Sequence, residues 1–384
     1  MEKIFLDNAS TTKIDSEVND LIAKTNLVDF YNPSAMYHES IEIKDKIENA
    51  QKTIAKILNV NYENIIWTSG ATESNNLAIM GSVTAKKNAE YIFSSGEHPS
   101  VYNEAKYLEQ KGAVVHFVKL TSEGVVDIEH LKSLLNENTH FVSIMFVSNE
   151  TGAINDIKAI SHIIKSYNPN IIFHVDGVQA FGKLKCDLQE LGVDAFSISA
   201  HKFHGPKGVG VLYYKNPNKL KPILLGGGQQ KGYRSGTENV SGILGTELAS
   251  IKAYENLEQN YNLVKSFRDM FIKQMATDLA NVDYQINENS SNNSPYVLSV
   301  SFKGLKSEVL MHMLEQKGML VGTGSACSSK KQENRVLASM GKKIDYVKGN
   351  IRISFSNYNT TSEVEKASKI FTQTVLELYK NISR

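Results

Sequence analysis

The chain has little of what several specialised protein classes require. Its 384 residues include two cysteines, Cys186 and Cys327, which are too few for a disulfide framework and lack metal-site spacing. Its formal net charge of +1 gives no electrostatic basis for wrapping nucleic acid or coating an anionic membrane. No apolar run is long enough to span a membrane, and the N-terminus lacks the apolar core of a signal peptide. We therefore expect a cytoplasmic protein that binds neither nucleic acid nor membrane.

Arginine is scarce, since only positions 234, 268, 335, 352 and 384 carry it. A site that holds a carboxylate with a planar guanidinium group therefore has few candidates. Arg384 ends the chain, Arg268 lies in a polar helical stretch, and Arg335 is predicted on a helix surface. Arg352 lies inside an apolar strand pattern, where a charge needs a partner. Arg352 is thus the candidate carboxylate ligand, with an ion pair between domains as the alternative.

The first 250 residues alternate short apolar runs with amphipathic helical patterns, which predicts an α/β fold. The predicted strands cover residues 65–68, 91–93, 114–118, 141–147, 171–175, 195–199 and 209–213. This rhythm predicts a mostly parallel seven-stranded sheet with helices on both faces. A long helical stretch over 243–280 and later strands predict a smaller α+β unit. We expect a large domain over residues 14–255 and a small domain formed by 1–13 and 256–384.

Polar residues at the ends of predicted strands are the first candidates for chemistry, because ligands bind at the carboxyl edge of such sheets. The segment Ser69–Ser74 opens a helix, which is a phosphate site or a simple cap. Asp176 ends an apolar strand and either caps the next element or holds a heterocyclic N–H⁺. Lys202 follows another strand end, where a partly dry pocket would make its amine nucleophilic. Phosphate, ring nitrogen and aldehyde are the three handles of pyridoxal 5′-phosphate.

Motifs along nearly the whole chain resemble the cysteine desulfurases of the class V aminotransferase superfamily, in the iron–sulfur and nitrogen-fixation group. They are Leu6–Thr12, Asn32–Ser34, Thr68–Asn76, Glu97–His98, Asn149–Gly152, Asp176–Gln179, Ser199–Lys202, Gly226–Gln229, Arg234–Thr237, Gly324–Ser328 and Ile351–Ser354. The resemblance implies a pyridoxal-phosphate-dependent fold of type I and removal of sulfur from L-cysteine. The sulfur would pass to an acceptor protein in iron–sulfur cluster assembly or tRNA thiolation.

The resemblance also implies a role for each matching position. Lys202 matches the lysine that condenses with the cofactor aldehyde, and Asp176 matches the partner of the pyridine nitrogen. Gln179 matches the partner of the phenolic oxygen, His98 the imidazole stacked on the ring, and Asn149 a residue near the ring and the substrate carboxylate. The implied phosphate ligands are Ala71, Thr72, Ser199 and His201, with Thr237 reaching in from the second subunit of a homodimer. Arg352 matches the substrate-carboxylate ligand.

Cys327 lies in a segment rich in Gly, Ser and Thr, unlike the apolar surroundings of a structural cysteine. The resemblance assigns it as the nucleophile that takes the sulfur and becomes a persulfide. Cys186 is predicted to be structural. A metal site at His201 and His204 lacks a third ligand with suitable spacing, so no metal is expected.

Other functions remain open at this stage. A selenocysteine lyase or another class V enzyme shares the same motifs, although a plain aminotransferase needs no thiol. A non-catalytic sulfur-carrier scaffold would not need charges at strand ends. Ser10, Ser148 and Gln230 depart from the common pattern of the group, and none of the three replaces a catalytic side chain.

Overall fold

The computed structural model describes residues 3–288, 292–324 and 334–382. The strands of these residues are β1 (Ile4–Leu6), β2 (Ile65–Thr68), β3 (Glu90–Ser94), β4 (Val114–Val118), β5 (Thr139–Ser143), β6 (Ile172–Asp176), β7 (Ala195–Ser199), β8 (Gly210–Tyr214), β9 (Tyr284–Ile286), β10 (Val297–Phe302), β11 (Met319–Val321) and β12 (Asn350–Ser354). The helices are α1 (Ser16–Val28), α2 (His38–Leu58), α3 (Ala71–Met80), α4 (Pro99–Gln110), α5 (Ile128–Leu134), α6 (Ile157–Tyr167), α7 (Leu188–Leu191), α8 (Val240–Glu255), α9 (Leu257–Asp278), α10 (Ser307–Gln316), α11 (Arg335–Ser339), α12 (Ile344–Val347) and α13 (Thr361–Ile382).

A seven-stranded sheet forms the centre of the molecule, in the order β2-β8-β7-β6-β5-β3-β4. Strand β8 runs antiparallel to its two neighbours, and the other pairs are parallel. The mostly parallel seven-stranded sheet expected from the sequence is therefore confirmed. The carboxyl ends of β2, β3, β5, β6 and β7 meet at one edge, which brings together segments distant in the chain.

Alternating side chains of the strands bury both faces of this sheet. In β2, Ile65 and Trp67 pack into the large cluster that also holds α2 and α6, whereas Ile66 packs with Leu77 of α3 on the opposite face. Burying each such side chain contributes about 1.5–3 kcal/mol to stability. Successive side chains of a strand point to opposite faces of the sheet, and here both faces are buried. Apolar residues therefore occupy successive positions, and the strands appear in the sequence as continuous hydrophobic runs.

Strand β5 ends earlier than its apolar run does. The sequence predicts a strand to Val147, but the regular strand ends at Ser143, and beyond it only Ile144 N and Phe146 N of residues 144–147 still donate to β6 carbonyls. The following loop is organised by its own polar side chains, since Ser148 Oγ accepts the N–H groups of Glu150 and Thr151. Such local hydrogen bonds compete with ladder pairing, and they deliver Asn149 and Glu150 to the ligand edge.

A second hydrophobic cluster joins the beginning and the end of the chain. It contains Ile4 and Leu6 of β1 together with residues of α9, α10, α13 and strands β10, β11 and β12. β1 pairs with β11, and β12-β10-β9 form a three-stranded antiparallel sheet. The long helical stretch expected over 243–280 is interrupted at Asn256, which has φ −116° and ψ 20°. The predicted domain boundary near residue 255 remains a prediction.

None of the helices in the described residues is long and apolar enough to cross a membrane.

Candidate active site

A cavity of about 700 Å³ opens at the carboxyl edge of the sheet. It is lined by nearly all of the predicted site residues that the structure describes: Ala71, Thr72, His98, Asn149, Asp176, Gln179, Ser199, His201, Lys202 and Arg352. Thr237 is exposed and lies outside this lining. Cys327 falls outside the described residues, but Gly324 and Asn334, on either side of segment 325–333, both line the cavity.

The N-terminus of α3 faces the cavity without a side-chain cap from any described residue. Gly70 precedes the helix with φ 155°, a conformation that favours glycine. A Cβ on Gly210 would lie 2.5 Å from the Gly70 carbonyl carbon, so the close approach of the turn to β8 also requires glycine. Most other long helices are capped by side chains, such as Asp156 for α6. The uncapped N–H groups of α3 therefore form a suitable site for an anion.

Asp176 ends β6 as a buried carboxylate, 5% exposed. Its Oδ2 accepts a hydrogen bond of 2.9 Å from Asn75 Nδ2, and its Oδ1 accepts one of 3.0 Å from Val178 N. Asn75 Nδ2 also donates to Ser100 Oγ, which contacts His98 Nδ1 at 2.8 Å. The carboxylate is thus held in one orientation by neutral donors, which leaves its charge available to a cationic ligand.

Lys202 lies in the short turn that follows β7, and it is half-buried. Its Nζ donates to two backbone carbonyls, Ala9 O at 2.7 Å and Ser10 O at 2.6 Å. The segment that follows β1 therefore anchors the amine at the cavity wall. An amine at such a wall is positioned to react with a carbonyl compound that enters the cavity.

The pKa values of the two predicted histidines are both lowered by burial. Burial, followed by the charge of Lys202, lowers the pKa of His201 to about 4, and its Nδ1 lies 3.0 Å from Thr11 Oγ1. Burial is also the main cause that lowers the pKa of His98, opposed by Asp176. His98 caps α4 by accepting from Ser100 N, so its ring orientation is fixed by the helix start. Neutral imidazoles can stack on a ring or relay a proton.

Arg352 projects from β12 into the same cavity. Its guanidinium pairs with Asp7 Oδ1 at 2.8 Å and donates to Asn149 O at 3.0 Å, whereas its buried Nε has no partner among the described residues. A Cβ on Gly322 would lie 2.6 Å from Asp7 Oδ1 and 2.9 Å from the guanidinium, so glycine leaves room for this pair. The guanidinium thus retains an unused donor for an anionic ligand.

Arg335 is a cavity residue that the sequence prediction missed. It was expected on a helix surface, and it does begin α11, but it lines the cavity. Its guanidinium stacks over the ring of Tyr102 at 3.9 Å and donates to the backbone carbonyls of Ser95 and Glu97. The helical pattern correctly indicates a helix, but not that its first residue reaches the loop after β3.

Two carboxyl groups at the cavity were also missed. Glu97 is fully buried, and burial followed by the charge of Asp176 raises its pKa well above the usual range. Burial raises the pKa of Glu150 to about 7, opposed by Arg352. Glu97 Oε1 accepts from Met145 N, but Glu97 Oε2 and Glu150 Oε2 have no partner among the described residues. Burial therefore disfavours the charged form of both groups.

Comparison with known proteins identifies the family of the chain. Residues 4–367 match the family described as aminotransferase class-V. The chain belongs to this family. Among curated relatives of the class-V family, a cysteine desulfurase IscS of Dictyoglomus turgidum is 36% identical over 99% of this chain and 96% of its own length. Cysteine desulfurase IscS 1 of Archaeoglobus fulgidus is 34% identical over 95% of each chain.

Solved structures of class-V relatives share the fold. A NifS-like protein superposes with a TM-score of 0.91 at 35% identity, over 98% of this chain and 100% of the other. A NifS-like protein from Rickettsia africae gives a TM-score of 0.85 at 29% identity, over 99% of this chain and 100% of the other. The pyridoxal-phosphate fold of type I and the family resemblance expected from the motifs are thereby confirmed.

The position of Arg352 in the cavity allows a prediction. Replacing Arg352 with Lys removes the planar fork, and each hydrogen bond to a charged group contributes about 1.5–3 kcal/mol. We expect kcat/KM for a carboxylate substrate to fall about 10²-fold, mainly through KM, in steady-state assays. Arg268→Lys is the matched control, because Arg268 pairs with Glu288 away from the cavity lining. Equal activity of both variants would show that Arg352 does not bind the carboxylate.

Proposed function

We propose that the protein is a pyridoxal-phosphate-dependent cysteine desulfurase. It takes sulfur from L-cysteine, releases L-alanine and carries the sulfur as a persulfide on Cys327 until an acceptor protein receives it. The observation that carries the proposal is the convergence of Lys202, Asp176 and the uncapped start of α3 on one cavity. The desulfurase names of relatives with 34–36% identity over nearly the full chain support the substrate.

The cavity fits the cofactor at three separate points. The uncapped N–H groups at Ala71 and Thr72, with the nearby Ser199 and His201, suit a phosphate. The buried carboxylate of Asp176 suits a protonated ring nitrogen, and the Lys202 amine suits an aldehyde. Bound pyridoxal phosphate supplies an aldehyde for the substrate amine and a cationic ring that withdraws electrons from the substrate Cα.

The side chains of the cavity divide the remaining work. Arg352, with Asn149 beside it, binds the substrate carboxylate and orients the Cα–H bond. The Lys202 amine would hold the cofactor aldehyde in the resting protein and, once free, would accept the Cα proton of the substrate. Asp176 would hold the protonated ring nitrogen of the cofactor through its carboxylate. His98, neutral and fixed by Ser100, is placed to move a proton between substrate and solvent.

Cys327 completes the reaction as the sulfur acceptor. Its thiolate attacks the substrate sulfur, so that an S–S bond forms as the substrate C–S bond breaks. The electron pair of the C–S bond stays on the substrate Cβ, which takes up a proton in place of the one lost by the thiol. Cysteine and a thiol thus become alanine and a persulfide with no external oxidant. Gly324 and Asn334 at the cavity wall support this role, since the segment that carries Cys327 leaves and rejoins the described chain there. Cys186 is unsuited to it, because burial raises the pKa of its thiol to about 12.

A homodimer explains the position of Thr237. The exposed residue lies in a loop where Ser235 N donates to Leu224 O, and the adjacent Leu225 is 84% exposed. We infer that this apolar loop packs on a second copy and that Thr237 reaches the phosphate of the partner cavity. We also propose that the chain divides into two domains at residue 255 and that the protein is cytoplasmic. Its sulfur acceptor acts in iron–sulfur assembly or in tRNA thiolation.

Replacement of Cys327 tests the sulfur-transfer step. We expect Cys327→Ser to keep the cofactor absorption and to lose protein-bound persulfide, with alanine production reduced at least about 10³-fold because the nucleophile is gone. Thiol-reactive labelling and mass spectrometry measure the persulfide after incubation with cysteine. Cys186→Ser is the control and should form persulfide normally. Undiminished persulfide on the Cys327→Ser protein would place the acceptor elsewhere.

A further inference from the structure

Lys183 is a buried cation that the proposed reaction leaves without a task. It is 6% exposed and lies in the turn after β6. Gly182, with φ 76°, allows this turn, and a Cβ there would lie 2.7 Å from Phe203 Cβ. No carboxylate of a described residue forms an ion pair with Lys183. Burying an ammonium without a counter-ion is costly, so the position calls for a compensating role.

The contacts of Lys183 lead to the cavity wall. Its Nζ donates to Gln179 Oε1 at 2.8 Å and lies 5.5 Å from the centre of the Tyr296 ring. Lys183 also lines a second cavity of about 120 Å³, and Lys202 lines both cavities. Lys183 is therefore placed one side chain behind the wall of the candidate active site.

The hydrogen bond from Lys183 determines which way the Gln179 amide points. Gln179 Nε2 donates to Ala9 O at 3.0 Å, and Ala9 O also accepts from Lys202 Nζ. A backbone carbonyl can only accept, so Ala9 O requires the amide nitrogen on its side, and the ammonium form of Lys183 can only donate. Rotating the amide by half a turn would place its N–H groups against the N–H donors of Lys183. The same rotation would place the amide oxygen against the carbonyl oxygen of Ala9. The amide N–H groups are consequently fixed on the Lys202 side of the cavity.

We propose that Lys183 is a positioning residue that holds the Gln179 amide with its N–H donor toward the cofactor and, through that amide, stabilises an anionic oxygen on the cofactor ring. The inference rests on the proposed function, because it assumes that pyridoxal phosphate occupies the cavity. Hydrogen bonds in series polarise one another, so a charged donor on Oε1 strengthens the donor on Nε2.

The electrostatic surroundings support this role. Burial, with smaller effects from the positive charges of Lys202 and Arg352, lowers the pKa of Lys183 to about 7. The ammonium is thus poorly stabilised by the protein alone. A negative ligand nearby supplies the favourable charge that the described residues do not.

Two substitutions separate the positioning role from a structural one. Lys183→Met keeps the length of the side chain and removes its donors and charge, whereas Lys183→Gln restores a neutral donor. We expect the apoprotein of Lys183→Met to melt at or above the wild-type temperature, since a buried unpaired charge is removed. We expect its affinity for pyridoxal phosphate to fall about tenfold, equivalent to ~1.4 kcal/mol, and the absorption maximum of bound cofactor to shift. The affinity of Lys183→Gln for pyridoxal phosphate should lie between those of the wild type and of Lys183→Met.

Cofactor titration followed by absorption, with thermal melting of each apoprotein, decides the question. Lys185→Met is the matched control, because Lys185 is two residues away with a side chain that is 75% exposed. Wild-type affinity or an unshifted spectrum in Lys183→Met would overturn the inference, as would failure of both Lys183 variants to fold. A wild-type protein that binds no pyridoxal phosphate would overturn the proposed function as well, so the two failures are distinguishable.

Discussion

Lys202→Ala should abolish the absorption band of covalently held pyridoxal phosphate and reduce alanine formation from cysteine at least about 10³-fold. The reason is that the variant lacks both the amine that condenses with the aldehyde and the base that accepts the Cα proton. Ala9 O and Ser10 O would both lose the Lys202 donor, and Ala9 O would keep the hydrogen bond from Gln179 Nε2. Absorption spectra and an alanine assay on the purified variant measure the two effects.

Lys207→Ala provides a stringent control for this substitution. Lys207 also lines the cavity, but it is exposed to water. A hydrated ammonium is a poor nucleophile, so the control should keep the band and most of the activity. A Lys202→Ala protein with an intact band would mean that another amine holds the cofactor.

Asp176→Asn should retain the fold and lose at least about 10²-fold in kcat, as expected when a fixed charge is removed from a buried site. The substitution keeps the side-chain shape but removes the carboxylate that we propose to pair with a protonated ring nitrogen. One oxygen can still accept from Val178 N or from Asn75 Nδ2, so the loop should remain in place. Steady-state kinetics with cysteine, compared at saturating cofactor, gives the effect.

The matched control for Asp176 is Asp156→Asn at the start of α6. Asp156 caps the helix by accepting from Ala159 N, and asparagine caps helices about as well as aspartate. Stability and activity of this control should stay near those of the wild type. If Asp176→Asn were as active as Asp156→Asn, the carboxylate would have no electrostatic role in the reaction.

Local patterns predicted the residues of the site that lie at strand ends. Asp176 and Lys202 stand directly after apolar strands, and parallel strands must bring their carboxyl ends to one edge. Arg352 could be recognised because a charge inside an apolar strand needs a partner, and the structure supplies Asp7. These three residues can be recognised as site candidates from the residues next to them in the sequence.

Other parts of the site depend on contacts between distant segments and could not be read from the sequence. Arg335 reaches the cavity only because α11 packs beside the loop after β3. Burial, followed by the charge of Asp176, raises the pKa of Glu97, and Asp176 is far away in the chain. The regular strand β5 ends at Ser143, and the loop that carries Asn149 and Glu150 follows it, with Ser148 Oγ accepting from Glu150 N. These features result from tertiary packing, and hydrophobic periodicity does not record it.

The most direct measurement is reduction of the purified protein with borohydride in the presence of pyridoxal phosphate, followed by peptide mass mapping. Borohydride makes the bond between an amine and the cofactor aldehyde permanent. The account predicts one modified site, Lys202, and loss of that modification when L-cysteine is added before the reductant. Modification of a different lysine, or of none, would contradict it.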